Sequence, residues 1–374
     1  MLLAKFSANT INGRLIARLE QRIRDIFPGF TASVGLSGAA LLHEAFCREK
    51  RKTVVLPGFT CQQLAAAAVK AGKRVVHVDV DRYTMHPNYH HLIRCLSTVK
   101  TDDTILLIDH TFGNPYPSVV DLRRKYPQLL IIEDAVRGLG VRFPDRPMGG
   151  GVDWVLLSMY KTIRGNGNGA ILLTRSDRIA ASSPQAVPTL RERMATVKPL
   201  RWFYDAVKRY YPEVRPRSRP VPKLQWTPVY GVPSDLCLRR YLAELCVLEQ
   251  QERIRVEIAQ EVAAACSRCE NLTLIQPAAR HSASGHFVSF VVKTASRDEG
   301  LTKLHRHGLF VLRTWDLIPV AFPELSGTYI YGSEESEFLA EHIVHVPIVE
   351  FCSVRKIRRL SHVVCEAFEC GVRQ

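Results

Sequence analysis

The sequence lacks the features that define several common classes of protein. Its 374 residues contain no run that approaches the ~20 consecutive apolar residues needed to span a bilayer. At the start, Asn9, Asn12 and Arg14 interrupt any apolar run that a secretory signal would need. No repeat of fixed period is present, which argues against solenoids and propellers. We therefore expect a globular, cytoplasmic protein.

Cysteine is spread too irregularly for a disulfide framework. The ten cysteines stand at positions 47, 61, 95, 237, 246, 266, 269, 352, 365 and 370. Cys266 and Cys269 have C-x-x-C spacing, but no second pair or His-x-x-x-His segment stands at the distance of a zinc site. We expect reduced thiols and no bound metal.

Acidic residues are too few to balance the basic ones, and the net charge is +15. The segment from Arg191 to Lys223 holds ten Lys or Arg and three acidic residues, so it carries seven of those charges. Within it an apolar helical stripe is formed by Phe203, Val207, Tyr210 and Tyr211. Two interpretations remain open: a helix packed on the protein body, or a surface at residues 198–223 for a membrane or an anionic substrate. No motif of a known nucleic-acid-binding module is present, so nucleic acid is not an expected partner.

Hydrophobic residues make up 46% and charged residues 23% of the chain, which is ordinary for a globular protein. Residues 1–175 alternate short apolar strands with amphipathic helices, the pattern of a mostly parallel sheet with helices on both faces. The predicted strands contain the runs TVVL, RVVHV, TILLI, LLII, VDWVLLS and GAILLT. We predict an α/β fold with a large domain over residues 1–235, including a basic, Pro-rich insertion at about 186–223.

The second half of the chain predicts a smaller α+β domain over residues 236–374. One long helix is expected across 235–266, followed by the strand HFVSFVV and a helix through LTKLHRHG. A strand LFVLR and a terminal helix over 353–368 complete it.

Polar residues follow the predicted strands at several points, where open α/β sheets bind their ligands. Ser37 and Gly38 open a helix and suit a phosphate, because backbone N–H groups and the helix dipole favour an anion there. Asp134 ends an apolar strand, where a buried carboxylate needs a cation or a hydrogen-bond donor. Ser158 and Lys161 end another strand, and that lysine is placed for a Schiff base. The loop 109–115, with His110, follows a fourth strand. Each signal alone also fits an ordinary cap, turn or exposed lysine.

Taken in order, these segments resemble the DegT/DnrJ family of pyridoxal-phosphate enzymes, which are best known as sugar-nucleotide aminotransferases. The matching pieces are Ser37-Gly38, PGFT, VDVD, DHTFGNP, IIEDA, GGGVD, SMYK and GNGA, and then HFVSFVV, RDEGLTKLHRHGL and HIVHVPIVEF. They cover residues 19–174 and 286–368. The resemblance implies a fold-type-I architecture, pyridoxal 5'-phosphate as cofactor and a homodimer.

The resemblance also implies residue roles. Lys161 aligns with the Schiff-base lysine, and Asp134 aligns with the acid that keeps the pyridinium nitrogen protonated. Phosphate-binding positions are matched by Ser37, Gly38 and Ser158, and Arg137 stands near the cofactor where the family has Gln or His. The remaining candidates are Phe59, Phe112 or His110 for covering the ring, and Asn168 for substrate binding. Arg313 suits either a substrate carboxylate or an exposed position at the rim of the protein.

Three departures from the family pattern fall near the substrate. The spacing from Ser158 to Lys161 is two residues shorter than in the family's S-F-x-x-x-K segment. Cys61 stands where the family has the aromatic residue that stacks on the ring, and residues 230–233 lack the family's cross-subunit Asn and Arg.

We therefore expect an aminotransferase that moves an amino group from glutamate or glutamine to an anionic keto-sugar on a nucleotide or similar carrier, in polysaccharide or secondary-metabolite biosynthesis. A dehydration or a condensation on the same scaffold, and a non-catalytic protein that kept the fold, remain the alternatives.

Overall fold

A computed structural model describes the chain at residues 11–141, 146–162, 168–175, 226–267, 269–275, 287–293, 297–307, 315, 317–325, 327–329, 332–348 and 354–368. The strands are β1 Thr31–Gly35, β2 Thr53–Pro57, β3 Arg74–Val78, β4 Thr104–Asp109, β5 Leu130–Asp134, β6 Trp154–Ser158, β7 Ala170–Thr174, β8 Leu272–Leu274, β9 Phe287–Val292, β10 Thr328–Tyr329 and β11 Ile343–Pro347. The α-helices are α1 Ile11–Ile26, α2 Gly38–Arg48, α3 Gln62–Lys70, α4 Tyr89–Thr98, α5 Val119–Lys125, α6 Met159–Thr162, α7 Asp235–Leu245, α8 Leu248–Cys266, α9 Arg297–Arg306, α10 Glu334–His342 and α11 Val354–Phe368.

The large sheet has eight strands in the order β1-β7-β6-β5-β4-β2-β3-β10. Strands β6, β5, β4, β2, β3 and β10 run parallel to one another, while β7 is antiparallel to both β6 and β1. Because β1 and β6 are both antiparallel to β7, they point the same way. This arrangement confirms the predicted mostly parallel α/β fold.

Helices cover both faces of this sheet, which explains why its central strands are apolar throughout. Strands β2, β4, β5, β6 and β7 are buried at every position. One face packs against α1, α4, α5 and α7 through Leu19, Leu92, Leu122 and Leu238. The other face packs against α2 and α3, which contribute Leu42 and Ala66. A parallel sheet needs this cover because neither face can be left in water.

Several elements of the large sheet region, among them β1, β10 and α4, were not predicted from the sequence. Strand β1 has the weak pattern TASVG and is held by its antiparallel register with β7, in which Gly35 pairs with Ala170. Helix α4 buries Leu92, Cys95 and Leu96, and the side chain of Asn88 caps it by accepting a hydrogen bond from the His91 N–H. The Asn88 cap and the apolar spacing of α4 are the sequence signals of a helix at this position.

The long helix expected over 235–266 is two helices, so that prediction was wrong in detail. The chain turns at Cys246 and Val247, whose N–H groups donate to the carbonyls of Ala243 and Glu244. Helix α7 packs into the core beside α1, whereas α8 packs with α11 on the small sheet β11-β9-β8. The division into domains at residue 235 stays a prediction. The predicted strand LFVLR and the basic insertion at 186–223 lie outside the described residues.

Asp79 joins the end of β3 to the N-terminus of α10. Its carboxylate, 3% exposed, accepts hydrogen bonds from the N–H of Glu335 (3.1 Å), the N–H of Ser336 (3.0 Å) and the Ser336 hydroxyl (2.5 Å). These groups satisfy donors that a helix N-terminus leaves without partners inside the helix. The carboxylate therefore holds the C-terminal part of the chain onto the large sheet.

We expect Asp79→Ala to lower the free energy of unfolding by about 2 kcal/mol, because buried donors at the helix start lose a charged acceptor. Urea unfolding followed by circular dichroism measures the change. Ser336→Ala is the matched control, since it removes the hydroxyl and leaves both N–H bonds in place. An equal loss in the two variants would contradict the capping role of Asp79.

Candidate active site

The carboxyl ends of the parallel strands bring the predicted polar groups to one edge of the sheet. Strand β4 ends at Asp109, β5 at Asp134 and β6 at Ser158. Asp109 and Asp134 are paired in register, and Ser158 is paired with Ala170 at the start of β7. Since β1 runs parallel to β6, the turn from β1 into α2 reaches the same edge. This is the edge at which open α/β sheets bind ligands.

Lys161 lies in the short helix α6, directly after β6. Its backbone N–H donates to the Ser158 hydroxyl oxygen at 3.4 Å. Its positive charge lies close enough to act on the pKa values of Asp134, Asp109 and Cys61, opposing the effect of burial on each. The structure therefore brings the lysine amine and two strand-end acids together.

Asp134 is a buried acid at the centre of this group. Its carboxylate is 3% exposed, and its Oδ1 accepts a hydrogen bond from the Val136 N–H at 3.0 Å. Burial raises its pKa, while the charges of Lys161 and Arg137 and the hydrogen bond from Val136 oppose that shift. A second cation beside this carboxylate, such as a protonated ring nitrogen, would favour its ionised form.

The predicted phosphate-binding residues lie at the β1, β6 and β7 end of the same edge. Ser37 precedes α2, and among the described residues its side chain makes no capping hydrogen bond to the helix. A Cβ at Gly38 would come within 3.3 Å of the Leu156 methyl groups, so glycine lets α2 begin directly against β6. The 11-residue helix α2 thus presents its N-terminus beside Ser158.

Arg137 lies between the acids and a group of aromatic side chains. Its guanidinium carbon is 4.7 Å from the centre of the Phe112 ring, and its charge lowers the pKa values of Asp109 and Asp134. The Phe112 ring also stacks on His345, with ring centres 3.4 Å apart. Phe112 has a φ of 55°, an unusual conformation for a residue with a side chain. Its ring thus lies between the Arg137 guanidinium and the His345 ring.

Phe59 and His110 are buried more deeply than side chains that cover the solvent-facing side of a ligand. Phe59 is fully buried and meets Trp315 edge to face at 5.2 Å. His110 is 1% exposed, and its Nδ1 accepts from the Tyr116 N–H at 3.1 Å. Its Nε2 lies 3.2 Å from a carboxylate oxygen of Glu133. That one of these residues covers the cofactor ring stays a prediction.

Glu133 forms a buried ionic cluster that the sequence analysis did not anticipate. It is fully buried and accepts hydrogen bonds from the Arg146 guanidinium and, at 2.8 Å, from the Gly149 N–H. Burial would raise its pKa, but His110 and Arg146 outweigh burial and lower it to about 2. Nothing in the local pattern around Arg146 signals this pairing, which depends on how residues 146–149 meet β5.

Three further residues of the edge were not assigned roles from the sequence. Thr60 donates its hydroxyl hydrogen to Asp109 at 2.6 Å, and Cys61 lies within the electrostatic reach of Lys161. A signal for Asp109 was present, because TILLID and LLIIED are both apolar strands that end in an acid.

Only some of the candidate substrate-binding residues lie within the described residues. Asn168 is exposed just before β7, and its carbonyl accepts a hydrogen bond from the Tyr241 hydroxyl at 3.3 Å. Arg313 and the basic segment 198–223 lie outside the described residues. Within the described ranges, no group of three or more His, Cys, Asp or Glu residues is arranged to hold a metal ion. In the same ranges, no helix combines the length and apolar character that crossing a bilayer requires.

Comparison with known proteins identifies the class of fold. Residues 5–186 match the model of the DegT/DnrJ/EryC1/StrS aminotransferase family. The architecture is that of fold-type-I pyridoxal-phosphate enzymes. Just under half of the chain is therefore similar to the DegT/DnrJ/EryC1/StrS aminotransferase family, at a distance.

Three solved structures have a similar fold and a low sequence identity to this chain. A DegT/DnrJ/EryC1/StrS aminotransferase from Brucella abortus is 18% identical, with 97% of this chain and 92% of that chain covered and a TM-score of 0.72. PseC from Helicobacter pylori, an aminotransferase involved in the biosynthesis of pseudoaminic acid, is 13% identical, with 96% and 92% covered and a TM-score of 0.72. GDP-4-keto-6-deoxy-D-mannose-3-dehydratase from E. coli, solved with bound hydrated PLP, is 16% identical, with 94% and 91% covered and a TM-score of 0.67. No curated protein matches the chain at a significant level.

Proposed function

We propose that the chain is a pyridoxal-phosphate-dependent aminotransferase. It transfers an amino group from an amino acid, glutamate or glutamine, to the keto group of a sugar on a nucleotide or similar carrier. The observation that carries the proposal is the Lys161 amine beside the buried Asp134 carboxylate at the ligand-binding edge of the sheet. The similarity of residues 5–186 to an aminotransferase family supports the same reaction class.

The residues present fit pyridoxal 5'-phosphate. A buried acid next to a lysine suits a basic ring nitrogen and an aldehyde, since the acid needs a cationic partner and the amine supplies the point of attachment. Ser37, Ser158 and the N-terminus of α2 offer donors for a phosphate at the other end of the edge. When bound, pyridoxal phosphate supplies an electron sink for the electrons of the bond broken at the amino donor.

Each of these residues then has one task. Asp134 holds a proton on the ring nitrogen, and Ser37, Gly38 and Ser158 fix the phosphate. The Lys161 amine, once displaced by the substrate amine, moves the proton at the donor's α-carbon. Arg137, whose charge reaches both strand-end acids, adds positive charge beside the cofactor.

The positive charges of Arg313 and of segment 191–223 suggest anionic substrates. Arg313 suits the carboxylate of the amino donor, because its planar guanidinium binds a carboxylate through two parallel hydrogen bonds. The basic segment 191–223 and the exposed Asn168 suit an anionic, diphosphate-linked sugar. A homodimer is proposed from the family pattern.

A dehydration or condensation on the same cofactor is the second candidate. It is favoured by the shortened spacing from Ser158 to Lys161 and by Cys61 at the position of the ring-stacking aromatic. The similarity in fold to a dehydratase is consistent with it. A non-catalytic protein of the same fold is disfavoured by the presence of both Asp134 and Lys161.

The test is the donor half-reaction of the purified protein loaded with pyridoxal phosphate. We expect glutamate or glutamine to bleach the cofactor's absorbance band and to release one equivalent of the corresponding keto acid per site. Consumption of a keto-sugar nucleotide without release of a keto acid from any amino donor would instead identify the dehydration or condensation. Absence of both reactions, with the cofactor bound, would leave the non-catalytic alternative.

A further inference from the structure

A row of polar side chains crosses three neighbouring strands beside the proposed cofactor site. Asp134 ends β5, Asp109 ends β4, and Thr60 follows β2, the next strand of the sheet. Asp109 and Asp134 are direct register partners, so their side chains leave the same face of the sheet on strands about 4.8 Å apart. Both acids are 3% exposed, and Thr60 is fully buried. Two carboxyl groups are therefore enclosed side by side.

Each carboxyl group has its own fixed donor. The Thr60 hydroxyl donates to Oδ2 of Asp109 at 2.6 Å, and the Val136 N–H donates to Oδ1 of Asp134 at 3.0 Å. Each acid therefore keeps a second oxygen that these bonds do not use. A proton on one carboxyl group would let it donate a hydrogen bond to the other.

The charges around the pair favour the proton on Asp109. The groups that act on Asp109 electrostatically are Asp134 on β5, Arg137 after it, Lys161 on α6 and the Cys61 thiol at the start of α3. Burial and the Asp134 charge raise the pKa of Asp109 well above its ordinary value of 3.8, against the opposing effects of Thr60, Lys161 and Arg137. Asp134 has more groups that favour its ionised form: after burial, Lys161 is the largest influence on its pKa, and the Val136 N–H, His110 and Arg137 lower that pKa further.

We propose that Asp109 is a positioning residue for Asp134: Thr60 fixes it, it keeps one proton at neutral pH, and it donates that proton in a hydrogen bond that holds Asp134 as a carboxylate. The inference rests on the proposed function, because the group that Asp134 then meets is the protonated ring nitrogen of pyridoxal phosphate. A neutral Asp109 also adds no second negative charge to the buried site.

The first test uses two matched variants, D109N and D134N, titrated with pyridoxal phosphate by absorbance. Asparagine reproduces the size and the hydrogen-bond donor of a neutral aspartic acid but carries no charge. We expect the dissociation constant of D109N to stay within about threefold of wild type, and that of D134N to rise by about tenfold or more. An equal rise in both variants would overturn the inference, since Asp109 would then act as an anion.

The second test needs no cofactor. An acid that keeps a proton in the folded state to a higher pH than in the unfolded state stabilises the fold less as pH rises above 3.8. Asparagine removes this dependence, so the ratio of the unfolding equilibrium constants of wild type and D109N should rise by about tenfold per pH unit above that value. The exposed Asp102, changed to asparagine, is the control and should show no such slope.

The two tests distinguish a failure of the positioning role of Asp109 from a failure of the proposed function. A missing slope in a protein that binds the cofactor would overturn the role of Asp109 alone. If wild type does not bind pyridoxal phosphate, the proposed function and the positioning role fail together, while the slope still decides whether the acid pair holds a proton. T60V gives a further check, because loss of the Thr60 hydrogen bond should raise the pKa of Asp109 and extend the slope to higher pH.

Discussion

Replacing Lys161 with alanine is expected to abolish both the lysine-dependent absorbance of the bound cofactor and the amino-transfer reaction. The band, expected at roughly 410–430 nm, requires a covalent bond between the lysine amine and the cofactor aldehyde. The same amine is the proposed proton carrier, and loss of such a group costs about 10²–10⁴-fold in rate, to which loss of the attachment adds. Absorbance spectra and single-turnover rates with glutamate measure the two effects.

Lys161→Arg is the matched control, because arginine keeps the positive charge beside Asp134 and Asp109 but does not form the covalent bond. We expect neither variant to show the band. The variants should differ in the thiol of Cys61. Burial raises the pKa of this thiol and the Lys161 charge opposes that rise, so the pKa should rise further only in the alanine variant. We expect the alkylation rate of Cys61 to be lower than wild type in Lys161→Ala and close to wild type in Lys161→Arg. That result would show that the Lys161 charge lies near Cys61, as in the structure. A band that persists in either variant would refute the assigned role of Lys161.

The central strands were predictable because their surroundings impose a simple pattern. A strand buried on both faces has to be apolar at nearly every position, and TVVL, TILLI and LLII show this directly. Strand β1 has no such pattern, since TASVG contains three small residues and a threonine and is held by its pairing with β7. The break between α7 and α8 is also absent from the local pattern, because the apolar spacing continues through Cys246 while the two helices pack on different cores.

In the candidate site, too, some residues were predictable from the sequence and others were not. Asp134 and Lys161 follow strands that the sequence identifies, so parallel strand direction alone predicts that they meet at one edge. The contacts of Asp109 with Thr60, and of Glu133 with Arg146, depend on strand order and on loop paths between distant segments. Strand order is not encoded in any single segment. Local patterns therefore revealed the residues proposed for the chemistry, and the structure adds the groups that orient and neutralise them.

The neighbouring strand residue Glu133 has the opposite environment from Asp134, although both are buried. Glu133 meets Arg146, the Gly149 N–H and His110, and its pKa falls to about 2. Because this value lies below the ordinary 4.5, the ionised group stabilises the fold above pH 4.5, and that stabilisation is lost as pH falls towards 2. The shift corresponds to a contribution on the order of 3 kcal/mol at neutral pH.

Arg146→Met should consequently reduce the free energy of unfolding at pH 7 by about 3–5 kcal/mol, because it leaves the Glu133 carboxylate buried without its guanidinium partner. The double variant Arg146→Met with Glu133→Met should recover much of that loss, since apolar side chains of similar volume need no charge partner. Urea unfolding at pH 7 and at pH 3 measures both effects. The difference between wild type and Arg146→Met should narrow at pH 3, because Glu133 is then protonated in the unfolded chain and in the variant, which no longer buries an unpaired carboxylate. A difference that is the same at both pH values would mean that Arg146 stabilises the fold through packing, and that the ion pair with Glu133 contributes little.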